Sequence, residues 1–135
     1  MLDDLLAFCR EERRDGVRLI DHPRVRPLLA DLHIGVEMGR LFSYRVAWLQ
    51  AQGRVPNVEA SQAKLFAAEL SQKVAQGGMR VLELYGALRE GSPWATIRGR
   101  FATHYLWTVS QTYAGGSVEI QRQIIATRGL GLPRG

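Results

Sequence analysis

The sequence predicts an all-α fold, an antiparallel up-and-down four-helix bundle with a short fifth helix at its C-terminal end. Three observations lead there. Apolar residues recur three and four positions apart along nearly the whole chain, as they do on helices with one buried face. The interruptions are short and carry Gly, Pro, Asn or Ser, the residues of helix ends and turns. No stretch alternates strictly between apolar and polar residues, so no strand competes.

The first helix runs from Leu2 to about Arg14, with Leu2, Leu5, Leu6 and Cys9 on one face, and Asp15-Gly16 ends it. The second follows His22-Pro23, because proline at a first helical position forfeits no useful hydrogen bond. Its apolar stripe is Val25, Leu28, Leu29, Leu32, Val36, Leu41 and Trp48, and it stops near Gln52-Gly53. Pro56-Asn57 opens the third helix, with Asn57 as capping acceptor. Its stripe is Ala63, Phe66, Leu70, Val74, Val81 and Leu84, ending near Ala87. Gly77-Gly78 inside it weakens helix propensity by about 1 kcal/mol per glycine, a cost accepted where two helices must approach closely. Ser92-Pro93 supplies a cap and first turn for a fourth helix from Trp94 to about Thr112. Ala114-Gly115-Gly116-Ser117 is a turn. The fifth helix spans about Ser117 to Arg128, with Gly129 placed to end it in the left-handed conformation.

The 135 residues form one domain, 1–135, and their 46% apolar content is enough for a real core. No run reaches the ~20 apolar residues of a membrane-spanning helix. The start Met1-Leu2-Asp3-Asp4 is acidic where a secretory leader is basic, which points to a cytoplasmic protein. The net charge is +5, and Lys64 and Lys73 are the only lysines among the 18 basic residues. The arginines are scattered and match no nucleic-acid-binding motif, so no nucleic-acid partner is expected. His22, His33 and His104 lack metal-ligand spacing, so no metal site is expected. Cys9 has no partner for a disulfide and lies on an apolar face, as an inert buried thiol would. Trp48, Trp94 and Trp107 read as core or interface anchors.

One stretch is specific. Tyr113-Ala114-Gly115-Gly116-Ser117-Val118-Glu119-Ile120-Gln121-Arg122, followed at the end by Leu130-Gly131-Leu132-Pro133-Arg134, resembles the closing signature of acyl-CoA dehydrogenases. In that family a Gly-Gly-Thr/Ser-x-Glu-Ile-Gln-Arg segment opens the final helix. Asp21-His22, Leu29 to Leu32, Arg45 to Trp48 and Ala63 to Ala67 also resemble the family at matching spacing. Glycines let backbone approach a ligand closely, and a helix start with free amides suits polar or anionic groups. The resemblance implies a domain preceded by a helical and a β-domain. This chain then begins partway along the first bundle helix, as a piece of a longer protein or a split gene product would.

The resemblance also implies a site. FAD would lie across an interface between two subunits, homo-oligomeric or heteromeric, with an acyl-CoA as substrate. Gly116 would lie against the acyl thioester, and Ser117, Val118 and Glu119 would line the FAD. Read from the residues alone, Ser117 is equally an N-cap and Glu119 a favourable first-turn acid. The family's chemistry uses a carboxylate to remove the α-proton of the thioester while the flavin accepts a hydride from the β-carbon. Many members place that glutamate directly before the second glycine of the turn; here the position is Gly115. Another branch carries it upstream of Met1. No catalytic residue is therefore assigned.

Two cofactor motifs of the family are eroded. Its Arg-x-x-Phe-Gly falls on Glu12-Arg13-Arg14-Asp15-Gly16, where Arg13 or Arg14 would have to substitute for the arginine that meets the FAD phosphate. Its Gln-x-x-Gly-Gly-x-Gly falls on Arg80 to Gly86, with Glu83-Leu84 adding bulk and negative charge in place of two glycines. The erosion resembles the deficient partner of heteromeric acyl-CoA dehydrogenases, some of which act on steroid side chains. It implies no dehydrogenase activity from this chain alone. The alternative is a non-catalytic helical assembly subunit that has lost the flavin.

Overall fold

Leu2, Leu5 and Cys9, spaced three and four apart, are all buried on one side of helix α1 (Leu2–Glu11). Asp3 and Asp4 in its first turn and Arg10 in its last complement the helix dipole. In the computed structural model, which describes residues 1–134, this helix is followed by α2 (Arg26–Ala51), α3 (Asn57–Leu82), α4 (Arg100–Gln111) and α5 (Val118–Ile124). The last helix continues as a wider π turn over Ile125–Gly129. The expected all-α bundle is observed, and among the described residues no helix is long and apolar enough to cross a membrane.

Helix α3 is the centre of the fold. Gly35 of α2 faces Leu70, the Phe42 and Phe66 rings lie 5.1 Å apart, and Arg45 pairs with Glu59 at 3.9 Å. These pairs run in opposite directions along the two chains, so α2 and α3 are antiparallel. Helix α4 returns along α3 through Phe101 over Gly78, His104 Nε2 at 3.3 Å from Ser71 Oγ, and Lys64 Nζ donating to the Gln111 carbonyl at 2.7 Å. Helix α5 lies on α3 through Arg122 with Glu69 and Gly129 against Val58. The core joins Leu5, Cys9, Leu29, Leu32, Val74, Val81 and Phe101, each large apolar side chain contributing about 1.5–3 kcal/mol.

Several boundaries differ from the sequence expectation. Helix α1 stops at Glu11, and Arg13–Arg14 pairs antiparallel with Val17–Arg18 as strands β1 and β2. Asp15 (φ 51) and Gly16 (φ 80) form the tight turn of this hairpin, which the Asp-Gly pair favours. Two-residue strands are too short to show alternation. Pro23 lies in a turn rather than at a helix start, because the His22 carbonyl accepts from Val25 and Arg26 at 2.9 Å and α2 begins at Arg26. Pro56, not Asn57, precedes α3, and the Asn57 side chain makes no cap. Helix α3 ends at Leu82 because Glu83 leaves helical backbone (φ 52, ψ −131), and a 3₁₀ segment covers Glu83–Ala87.

The fourth helix starts at Arg100 rather than Trp94. Ile97, Arg98 and Gly99 all have positive φ, so the Thr96–Gly99 turn cannot continue into it as regular helix. Ser92 Oγ accepts only a local bond from Trp94 at 3.4 Å. Gly129 stays inside the final helical turn, and the left-handed glycine is Gly131. Leu41, Trp48 and Leu84, assigned to apolar core stripes, are exposed by 67%, 52% and 88%. Trp94 and Trp107 are exposed too, so none of the three tryptophans is a core anchor.

Candidate functional site: a glycine corner and an arginine pocket

Helix α4 runs out of regular bonds at Ala114, whose amide donates back to Ser110 at 2.9 Å. The chain then reverses through Gly115 (φ +70) and Gly116 (φ +97), a left-handed pair that only glycine adopts without strain. The corner is closed by the chain itself. Val118 N–H donates to the Thr112 carbonyl at 2.9 Å, and buried Gln121 donates through Nε2 to the Gly115 carbonyl at 3.3 Å. Lys64 Nζ satisfies the Gln111 carbonyl at the end of α4, one of the four acceptors that a helix terminus leaves unpaired.

Ser117 is the N-cap of α5, its Oγ accepting from Ile120 N–H at 3.3 Å. The Ser117 hydroxyl also bonds Glu119, whose own backbone adds a second bond, and together they hold the exposed Glu119 carboxyl below its ordinary pKa. The downward shift makes the Glu119 carboxylate a weaker base, the opposite of the raised pKa that suits proton abstraction near neutral pH. Free amides were expected at this helix start. Those of Val118 and Ile120 are instead taken by Thr112 and Ser117. What stays open is the glycine backbone. Gly115 is exposed, Gly116, Ser117 and Val118 are half-buried, and Tyr113 and Ile120 beside them are 62% and 48% exposed. A side chain at Gly115 would meet only Lys64 Cε, at 3.8 Å, whereas at Gly116 it would strike Gln121 Nε2 at 2.6 Å. The outer side of the corner is open, and the inner side is filled.

A second feature joins the two eroded segments. Arg14, on strand β1, donates through Nη2 to the Val81 carbonyl at 3.2 Å and pairs through Nη1 with Glu83 Oε1 at 2.8 Å. Arg13 instead turns to the Gly16 carbonyl at 3.0 Å, and Glu12 is exposed. A cavity of about 680 Å³ beside the pair is lined by Arg14, Asp15, His22, Arg24, Arg80 and Glu83, with Val81 among its apolar walls. Nothing in the sequence signals the Arg14–Glu83 pair, because opposite charges this far apart along a chain meet only through the tertiary fold. No group of three or more His, Cys, Asp or Glu comes together among the described residues. Cys9 is fully buried, and burial pushes its thiol up to about 11.

Comparison with known proteins gives one consistent answer. The sequence model of the family described as "Acyl-CoA dehydrogenase, C-terminal domain" matches residues 1–130. Acyl-CoA dehydrogenase FadE26 of Mycobacterium tuberculosis is 37% identical over 123 residues, covering 88% of this chain and 30% of the relative. Glutaryl-CoA dehydrogenase of Desulfococcus multivorans is 31% identical over 132 residues, covering 97% of this chain and 32% of the relative. Among solved structures, the ChsE4-ChsE5 complex from Mycobacterium tuberculosis superimposes with a TM-score of 0.90 at 35% identity, over 99% of this chain and 34% of that one. The chain spans about a third of the length of the relatives it matches. With the whole of its helical bundle matched in sequence and in shape, the chain belongs to the acyl-CoA dehydrogenase family, of which it carries the C-terminal domain.

Proposed function

We propose that this chain is the C-terminal part of an FAD-dependent oxidoreductase that desaturates acyl-CoA thioesters, that it serves in a heteromeric assembly, and that residues 1–135 bring no catalytic base to it. The observation that carries the reading is the open outer side of the Gly115-Gly116 corner, where backbone is accessible and no side chain fills the space. In this reading Ser117, Val118 and Glu119 line the flavin and Gly116 lies against the thioester. The flavin supplies the hydride acceptor, and the residues of this chain orient and enclose the ring. Gly115 brings no carboxylate to the substrate, and Glu119, its basicity lowered by the bond from Ser117, does not replace one. The proton-abstracting group then comes from outside residues 1–135.

Exposed apolar residues support assembly. Ile34, Met38, Leu41 and Trp48 lie along one side of α2, and Tyr105, Leu106, Trp107 and Val109 lie on α4, all at least 40% exposed. Apolar surface gathered this way marks an interaction face. The ChsE4-ChsE5 complex is an assembly of two different chains, and the same arrangement is proposed here. A second reading, a helical assembly subunit that binds no flavin, is favoured by the Arg14–Glu83 pair, because Glu83 already occupies the arginine best placed for a phosphate.

Titration with FAD separates the two readings. The purified chain alone is expected to bind no stoichiometric flavin, and the visible flavin absorbance is expected when it is co-expressed with a full-length relative. Tight stoichiometric flavin binding by the chain on its own sinks the heteromeric reading. A colourless heteromer supports the assembly subunit without flavin.

A further inference from the structure

Two hollows lie on either side of one ion pair. One is the arginine-lined cavity of about 680 Å³. A second, of about 520 Å³, is lined by Phe8, Arg13, Tyr85, Trp94 and Thr96. Arg14, Val81 and Glu83 border both, so the Arg14–Glu83 pair is the wall between them. The two sides differ in chemistry. One carries three guanidinium groups against the carboxylates of Asp15 and Glu83, and among the described residues Arg24 and Arg80 make no ion pair. The other carries the partly exposed rings of Tyr85 and Trp94, and Thr96 Oγ1, a buried hydroxyl oxygen without a hydrogen-bond partner.

Glu83 is held at this wall against its backbone preference. Its φ of 52 with ψ of −131 is a region that glycine populates and other residues enter only where the surrounding structure over-determines them. Arg14 is anchored by the Val81 carbonyl at one terminal nitrogen, and Glu83 takes the other. A ligand that binds Arg14 through Nη1 must therefore compete with Glu83, since Nη2 is anchored on the Val81 carbonyl.

We infer that Glu83 is a built-in competitor at a nucleoside-diphosphate site, its carboxylate standing on Arg14 where a diphosphate would stand and dividing an arginine-lined hollow from an aromatic one. Guanidinium groups bind diphosphate oxygens in paired hydrogen bonds, and aromatic rings stack on a nucleobase. As folded, with Glu83 on Arg14, the residues at this wall do not fit the adenosine diphosphate part of FAD. The inference deepens the flavin reading and rests on it for the class of ligand.

Calorimetric titration of the purified chain with ADP and with inorganic pyrophosphate tests it. Releasing a partly exposed competitor gains a few-fold in affinity, and ending its repulsion of a multiply charged ligand adds a comparable factor. Glu83→Gly is expected to bind ADP about tenfold more tightly than the natural chain, and Glu83→Gln, which keeps the backbone strain but drops the charge, is expected to move the same way. Adding Arg14→Ala to Glu83→Gly is expected to erase the gain, with an unchanged far-UV circular dichroism spectrum as the check on folding. Pyrophosphate is expected to follow the charge changes with a weaker overall affinity, since it lacks the base. Equal ADP affinity in the natural chain and Glu83→Gly, no binding by any variant, or a gain that survives Arg14→Ala overturns the inference. ADP lacks the flavin ring, so the two readings fail separately. A heteromer that retains flavin while Glu83→Gly gains nothing refutes the competitor and spares the flavin reading. An ADP gain beside a colourless heteromer does the reverse.

Discussion

Replacing Gly78 with alanine sets local preference against packing. Helix propensity alone favours alanine by about 1 kcal/mol at an interior position of α3. The packing opposes it. A Cβ at Gly78 would stand 2.0 Å from Phe101 Cε1 and 2.1 Å from Cδ1, whereas non-bonded carbons rest at about 3.5–4.0 Å. The ring must therefore retreat by roughly 1.5 Å. Phe101 is 1% exposed and sits in the first turn of α4, so it retreats only if the helix moves with it. Overpacking of this kind costs about 3 kcal/mol at the upper end of the usual range. Subtracting the propensity gain leaves a net loss of about 2 kcal/mol.

For a chain of 135 residues that loss corresponds to a Tm lower by about 8 °C. Thermal unfolding followed by circular dichroism reads it directly. Gly77→Ala is the control, because its new Cβ would meet Leu32 Cδ1 at 2.7 Å, the far end of a flexible side chain; its stability is expected within about 1 kcal/mol of the natural chain. Adding Phe101→Leu to Gly78→Ala should recover part of the loss even though Phe101→Leu alone destabilises. If Gly78→Ala melts at or above the natural temperature, the glycine pair is not there to admit the ring.

Other outcomes follow from the corner and the core. Ser117→Ala removes the N-cap of α5 and should cost about 1 kcal/mol, while an NMR titration should show the Glu119 carboxyl rising toward its ordinary pKa as the Ser117 bond disappears. The Cys9 thiol is raised by burial from 9.0 to about 11, so the folded state keeps its proton longer than the unfolded chain does. Its stabilising effect is complete below pH 9 and is lost as pH rises toward about 11, and alkylation by iodoacetamide at neutral pH should require unfolding. Burial lowers the His104 pKa below 6.5, with the amino terminus and Arg100 adding to it. Denaturant unfolding should therefore show stability falling as pH drops below about 6.5, and His104→Gln should flatten that slope.

The helices were legible because their signals are local. Leu2, Leu5 and Cys9, or Val74 and Val81, are buried at the spacings the sequence displays, and the capping serine at position 117 is the residue the helix start requires. Boundaries set by tertiary contacts were not legible. Glu83 ends α3 in a conformation glutamate disfavours, held beside Arg14 from the far end of the chain. Ile97, a β-branched residue with positive φ, delays α4 against its own preference. The outward orientation of Leu41 and Trp48 escaped as well, because a helix with two apolar faces has a periodicity that does not say which face the rest of the chain will cover. The signature segment Gly115 to Arg122 folds as the expected glycine turn and Ser117-capped helix start. That its first amides are consumed by Thr112 and Ser117 emerges only from the folded turn.

Beside the corner stand features that the fold does not need. The corner at Gly115-Gly116 satisfies itself: Gln121, Thr112 and Ser117 bond it from within, so its shape would persist in a protein that bound nothing there. Glu83 is different. Its backbone conformation costs of order 1–3 kcal/mol, and an ion pair as exposed as Arg14–Glu83 returns at most about 1 kcal/mol. Stability alone would favour glycine at that position. The apolar residues along α2 and α4 and the unpartnered Thr96 hydroxyl are likewise burdens to an isolated chain. Each burden sits on a surface or at a cavity, and a second subunit on the helices and a ligand in the hollows would relieve them. The strained carboxylate costs more than its ion pair gives back, which is why the arginine it occupies is the place to look for what this chain binds.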